Sequence, residues 1–176
     1  PDDHRQLTLE IHLRAVLAVE ELPLLLRPLQ SYRSELGLPQ IDMQRLLDAL
    51  ECGIARDRTV ILTWRAQDAT MAGIVAFAIL SFGISMSRGG VDLNVEGLWI
   101  DRAHRSFGSI RSVWAEIRHH ARHRGAVSLA GVVDRRRPGL MALYRRLGCI
   151  ATDYQLHLAL VGEELSEQDR SGRRGE

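Results

Sequence analysis

The chain has no lysine, one asparagine (Asn94), two cysteines and five prolines in 176 residues, and aromatics make up only 5% of it. Two cysteines cannot build a disulfide framework, and Cys52 and Cys149 lack metal-ligand spacing, so disulfide scaffolds and zinc modules are excluded. Both fall in apolar patterns and read as small buried thiols. The longest apolar stretch, Met71–Met86, has 16 residues and contains Gly73, Ser81, Gly83 and Ser85. A membrane-spanning helix needs about 20 residues, so this stretch reads as a long buried strand. The chain starts polar, without a signal-peptide pattern, and the expectation is a soluble cytoplasmic protein. Lysine and asparagine share AT-rich codons, so their scarcity reports a GC-rich genome and not a function.

What is present describes a globular chain: 45% apolar and 26% charged residues. The length suits a single domain with its own core, expected over residues 1–162 and followed by a polar tail, 163–176, without periodicity. The formal net charge is only +1, yet it is unevenly spread. Residues 102–146 hold 11 arginines against two acids, Glu116 and Asp134, a net of +9. The remainder holds 12 arginines against 20 acids, a net of −8. Such asymmetry points to an anionic partner for one part of the chain.

Periodicity orders the elements. Residues 7–13 alternate apolar and polar and read as a half-buried strand. Residues 19–36 take helical spacing through Leu22, Leu25, Leu26 and Leu29, with a kink or break predicted at Pro28 and a stop at Gly37 and Pro39. Asp42 is a candidate N-cap for a helix with Met43, Leu46, Leu47, Leu50 and Ile54 on one face. Strands are expected at Thr59–Arg65, Met71–Arg88 and Val91–Ile100, the last two joined by Gly89-Gly90 as an antiparallel pair. Ser109–Arg124 is the clearest helix, with the stripe Ile110, Val113, Trp114, Ile117 and Ala121. Ala126–Val133 reads as a buried central strand. Pro138 opens a helix that buries Leu140, Leu143, Tyr144 and Leu147. A final strand is expected over Thr152–Val161. Trp64, Trp99 and Trp114 are expected in the core.

Candidate chemistry concentrates between Glu96 and Cys149. A strand runs to Ile100, and a short loop with Arg105 and Gly108 leads at once into a helix. A helix start offers free N–H groups and the positive end of a dipole, and glycine there lets backbone approach a phosphate. His119 and His123 stand at i, i+4, a spacing that can clamp a metal, but no acidic residue or third histidine is placed to help, and no metal is expected. Asp134 and His157 are a conceivable relay without a demonstrable contact.

The element order, this loop and the segment from Arg137 to Cys149 together resemble the GNAT superfamily of acyl-CoA-dependent N-acyltransferases. The resemblance covers residues 7–161 by element order and is specific over 96–149. The family's pyrophosphate loop reads Gln/Arg-x-x-Gly-x-Gly/Ala, and Arg105, Ser106, Phe107, Gly108, Ser109 and Ile110 occupy its six positions. Glu96 stands four residues before Ile100, where many members carry glutamate. The later helix commonly reads Asn-x-x-Ala-x-x-Leu-Tyr-x-x-x-Gly-Phe; Leu143, Tyr144 and Gly148 match, while Arg137, Leu140 and Cys149 replace the Asn, Ala and Phe. Ile110 replaces a Gly or Ala. Its side chain either crowds the phosphates or turns inward as the first core residue of the helix.

The resemblance implies an α/β (α+β) fold, a single GNAT-like domain with a mixed central sheet of about six to seven strands flanked by about four helices. It implies acyl transfer from acetyl-CoA, or another acyl-CoA, to a primary amine by direct attack. Glu96 is then the base and Tyr144 the acid for the departing thiolate; the bland alternatives are a solvent-facing strand charge and a buried helix tyrosine. Backbone at Leu98, Trp99 and Ile100 would polarise the thioester, and Arg105, Ser106, Phe107, Gly108, Ser109, Ile110 and Arg137 would hold the cofactor. Arg111, Arg135 and Arg136 are further guanidinium partners for phosphate. Glu20, Glu21, Glu35, Asp42, Asp48 and Glu51 would give an acidic lining suited to a cationic acceptor. Many members dimerise, so a homodimer is carried over as one partner. The competing reading is a non-catalytic GNAT-like binding or assembly module that has lost acyl-CoA use. Nucleic-acid binding through the arginines is the weakest reading, and no membrane partner is expected.

Overall fold

A computed structural model describes residues 11–66, 73–134 and 137–150. Five strands and four α-helices follow in the order β1 (Ile11–Val16), α1 (Leu26–Leu36), α2 (Met43–Ala55), β2 (Thr59–Ala66), β3 (Ile74–Ser85), β4 (Gly90–Ile100), α3 (Phe107–His123), β5 (Ala126–Gly131) and α4 (Pro138–Arg146). The sheet order is β1-β2-β3-β4-β5. The first four strands pair antiparallel, and β5 joins β4 in parallel. This is the expected mixed sheet with four helices. Among the described residues it has five strands; the strand expected over 152–161 lies outside them, as do residues 7–10 of the first expected strand and the tail 163–176.

The sheet separates two cores. Ala76, Ala78 and Leu80 of β3 face Val113, Trp114 and Ile117 of α3, with Leu143 and Tyr144 of α4 packed alongside. Phe77 and Ile79 face the other way, toward Leu25, Leu29 and Leu50 of the α1–α2 side. Strand β3 is therefore buried on both faces from Ile74 to Leu80, as an unbroken apolar run requires. All three tryptophans are buried.

Local signals explain most boundaries. A 3-10 segment, Val19–Leu25, precedes α1, and Pro28 falls in the first turn of α1, where a missing N–H needs no acceptor. The helix is therefore not broken at Pro28 as expected; the winding changes from 3-10 to α at Leu25 and Leu26, just ahead of it. Gly37, at φ +65°, ends α1. Asp42 caps α2 by accepting from the N–H groups of Gln44 and Arg45. The β3–β4 hairpin closes through Gly89, at φ +66°, with Ser85 opposite Gly90.

Two sequence expectations need correction. Strand β5 is half exposed, not buried; among the described residues it pairs with β4 alone. Cys52 is exposed, not buried, because α2 turns its stripe of Met43, Leu46, Leu47, Leu50 and Ile54 inward and residue 52 falls off that face. No helix among the described residues is long and apolar enough to cross a membrane.

Candidate active site

The site begins where β4 and β5 part. Their register runs from Val91↔Ala126 to Val95↔Gly131 and stops. Beyond it, β4 continues for five residues, Glu96–Ile100, paired among the described residues only with β3. One edge of this segment is thus left open. Asp101 N–H donates to the Val75 carbonyl at 2.8 Å. The alternation of an antiparallel ladder then turns the N–H of Trp99 toward β3, and those of Leu98 and Ile100 toward the open edge. This corrects the sequence expectation at Trp99: its amide serves the sheet, and Leu98 and Ile100 supply the outward amides.

Strand β4 is bulged in this segment. Ile79 pairs with Gly97 and Leu80 with Val95, so Glu96 is the extra residue. A bulge kinks its strand and re-aims side chains. Glu96 is exposed, and its Oε1 accepts a hydrogen bond from Ser81 Oγ on β3. The carboxylate is thus held on the face that carries α1.

Tyr144 stands on the α3 side. Its ring meets Trp114 edge-on at 5.5 Å. Burial, with the neighbouring Tyr32 phenol and Cys149 thiol adding to it, pushes the Tyr144 hydroxyl up to about 12. It therefore remains a donor at any physiological pH. Tyr32, on α1, interacts with both Tyr144 and Glu96. Burial raises its phenol, Arg33 and Arg137 oppose that, and Glu96 adds to it. Sequence reasoning missed Tyr32. The signal was present, since residue 32 extends the Leu22, Leu25, Leu29 stripe by one more step and puts a phenol on it.

The loop after β4 differs in detail from its expected role. Ser106 caps α3: its Oγ accepts from Ser109 N–H at 3.0 Å, and its carbonyl accepts from Ile110 N–H at 3.0 Å. Two of the amides expected to hold a pyrophosphate are thus occupied. Among the described residues the N–H groups of Phe107 and Gly108 have no acceptor, and a Cβ at Gly108 would meet only Ser106 Oγ, at 3.6 Å. The open face of the loop therefore fits an anion at these two amides. Ile110 packs against the core beside α3, which decides between its two expected orientations: it turns inward.

Arg105 and Arg137 do not point freely toward a ligand. The Arg105 guanidinium donates to the Ile100 carbonyl, at 3.1 Å from Nε, and to Glu35 at 2.9 Å. Arg137 donates to the Leu36 carbonyl at 2.7 Å. Both clasp the last turn of α1, with Arg102 3.7 Å from Glu35. Contacts across 70 and 101 residues leave no trace in local patterning. Arg146 lies over the Phe107 ring, 4.1 Å from its centroid, beside the loop. Arg135 and Arg136 lie outside the described residues, as does His157 of the imagined relay.

The acidic lining is also largely engaged elsewhere. Glu35 holds Trp99 and Arg105, Glu21 pairs with Arg65 at 3.2 Å, Asp42 caps α2, and Asp48 accepts from Gln44. Among the described residues no three His, Cys, Asp or Glu side chains are grouped to hold a metal, and His119 and His123 have no partner ligand there.

No protein-family profile matches the sequence, and no curated protein matches it. Solved structures do. A predicted acetyltransferase from Clostridium acetobutylicum, solved with acetyl-CoA, superposes with a TM-score of 0.69 at 18% identity, covering 86% of this chain and 97% of that one. The ribosomal-protein-alanine N-acetyltransferase of Brucella melitensis biovar Abortus gives 0.67 at 17% identity, covering 86% and 100%. An acetyltransferase of Trypanosoma brucei gives 0.62 at 21% identity, covering 86% and 100%. The chain is similar to them over nearly their whole length and has the fold of GNAT-type acetyltransferases.

Proposed function

We propose that this chain is an N-acyltransferase that moves an acetyl or other short acyl group from acyl-CoA to a primary amine by direct attack. The observation that carries the reading is the open edge of β4 beyond Val95 and Gly131, with a bulged glutamate on one face and a protonated phenol on the other. Acyl-CoA, when bound, supplies a thioester carbonyl and a thiolate leaving group. The outward N–H groups of Leu98 and Ile100 are preorganised donors for the carbonyl oxygen as it gains charge. Phe107 and Gly108 N–H, at the positive end of α3, hold the pyrophosphate. Arg146 is the nearby guanidinium best placed to neutralise it.

Glu96 takes the proton from the incoming amine. Tyr144 faces the departing sulfur. Full proton transfer from a phenol near 12 runs uphill against a thiol of ordinary pKa, about 8.5. Its role is therefore hydrogen-bond donation to the developing thiolate. A hydrogen bond to a charged group is worth about 1.5–3 kcal/mol, or roughly 10- to 100-fold in rate. Release of CoA thiol from acetyl-CoA, measured with a set of primary amines, tests the reading. Tyr144→Phe is expected to lower turnover about 10- to 100-fold with little change in acetyl-CoA affinity. Unchanged turnover would make Tyr144 a packing residue.

The second reading, a non-catalytic binding module of the same fold, draws support from Arg105, Arg137 and Ser109. Three groups the resemblance assigns to the cofactor are engaged within the chain. It requires that acetyl-CoA does not bind.

A further inference from the structure

Tyr32 is placed by two contacts and, among the described residues, has no hydrogen-bonding partner. Its ring covers Gly97: a Cβ there would lie 3.6 Å from Cε1, Cζ and Oη of Tyr32. The ring also meets Phe77 edge-on, with centroids 5.7 Å apart. Phe77 is fully buried and stacks on Trp99 at 5.8 Å. The aromatic body of Tyr32 is thereby fixed on the sheet. Among the described residues nothing bonds its hydroxyl, although the residue is half-buried.

The bulge sets the neighbour of that hydroxyl. Glu96 and Gly97 together oppose one step of β3, and the two residues of a bulge leave the strand on about the same side. Tyr32 covers Gly97 from α1, and Ser81 holds Glu96 on that face. Only one Glu96 oxygen is engaged by Ser81. A carboxylate oxygen and a phenol oxygen, both without a partner among the described residues, thus border the same end of the gap.

We infer that Tyr32 is the acceptor-positioning residue of this site: its Oη accepts one N–H of a primary ammonium or amine while Glu96 accepts another. Two acceptors at adjacent positions select a nitrogen that carries at least two N–H bonds, which a quaternary ammonium does not. The inference deepens the proposed function and rests on it for turnover, but amine binding can be read separately. Tyr32→Phe keeps the ring on Gly97 and Phe77 and removes only the hydroxyl.

The test uses the full chain labelled with 13Cζ-tyrosine, its resonances assigned from single Tyr→Phe variants. Titration with n-butylamine is expected to shift the Tyr32 signal saturably. Butyltrimethylammonium, equal in charge but without N–H donors, is expected not to. Glu96→Gln should weaken the n-butylamine titration about tenfold. In CoA-release assays with n-butylamine, Tyr32→Phe should raise KM for the amine about tenfold and leave KM for acetyl-CoA within twofold of wild type, roughly the scatter of such measurements. No saturable shift, or equal shifts from the two ligands, overturns the assignment. So does an unchanged amine KM in Tyr32→Phe. A saturable, N–H-dependent shift without any CoA release supports the amine site while rejecting acyl transfer.

Discussion

The Glu35 carboxylate accepts a hydrogen bond from the Trp99 indole N–H at 3.1 Å and, through its other oxygen, one from Arg105 at 2.9 Å. One side chain thus bolts the last turn of α1 to the end of β4 and to the loop that leads into α3. Burial pushes the Glu35 carboxyl upward, but the bonds from Trp99 and Arg105 and the charges of Arg105 and Arg102 outweigh it and leave it below its ordinary 4.5. Glu35→Ala removes both acceptors and is expected to destabilise the chain by about 1–3 kcal/mol, measured by urea unfolding at neutral pH. A carboxylate with a lowered folded pKa contributes stability that is complete above its unfolded value and is lost as pH falls through the folded one. The difference between wild type and Glu35→Ala should therefore shrink below pH 4.5.

Tyr144 predicts the opposite limb. Its hydroxyl is raised from 10.0 to about 12, so the folded chain holds that proton more tightly than the unfolded one. The resulting stability is complete below pH 10 and is lost as pH rises through 12. Wild type should lose stability over this range more steeply than Tyr144→Phe. An absorbance titration at alkaline pH should show one fewer late-titrating phenol in the variant.

Ile110 shows how far the sequence carries and where it stops. The apolar spacing from Ile110 to Ala121 is visible in the chain, and it already favours an inward Ile110; the structure agrees. Periodicity also yields the two-faced burial of β3 and the Asp42 cap, because each depends on residues a few positions apart. The bulge at Glu96 was not legible, since a bulge is a property of pairing register between two strands. Nor was the capture of Arg105 and Arg137 by α1, which depends on which elements meet in space. The motif showed which residues cluster, and the fold decided which of their groups remain open. Ile110→Gly is accordingly expected to cost roughly 2–4 kcal/mol, from lost packing and a glycine in the first helical turn. It should bring no gain in acetyl-CoA affinity; tighter binding in calorimetry would mean that Ile110 crowds the phosphates after all.

The start of the β4–β5 pair offers a packing test. A Cβ at Gly90 would lie 2.5 Å from Cγ1 and 3.0 Å from Cγ2 of Val127, and a β-branched side chain has few rotamers with which to yield. Gly90→Ala should destabilise by about 1–3 kcal/mol. Adding Val127→Ala should recover part of that loss, a coupling that a double-mutant cycle reads directly.

Isothermal titration of the intact chain with acetyl-CoA tests the central claim most directly. If the open edge of β4 and the Phe107 and Gly108 amides form an acyl-CoA site, binding is saturable with one molecule per chain, and thermal stability rises with ligand concentration as mass action requires. No heat of binding and no stabilisation at millimolar acetyl-CoA would contradict it and leave the fold as a binding module without acyl-CoA chemistry.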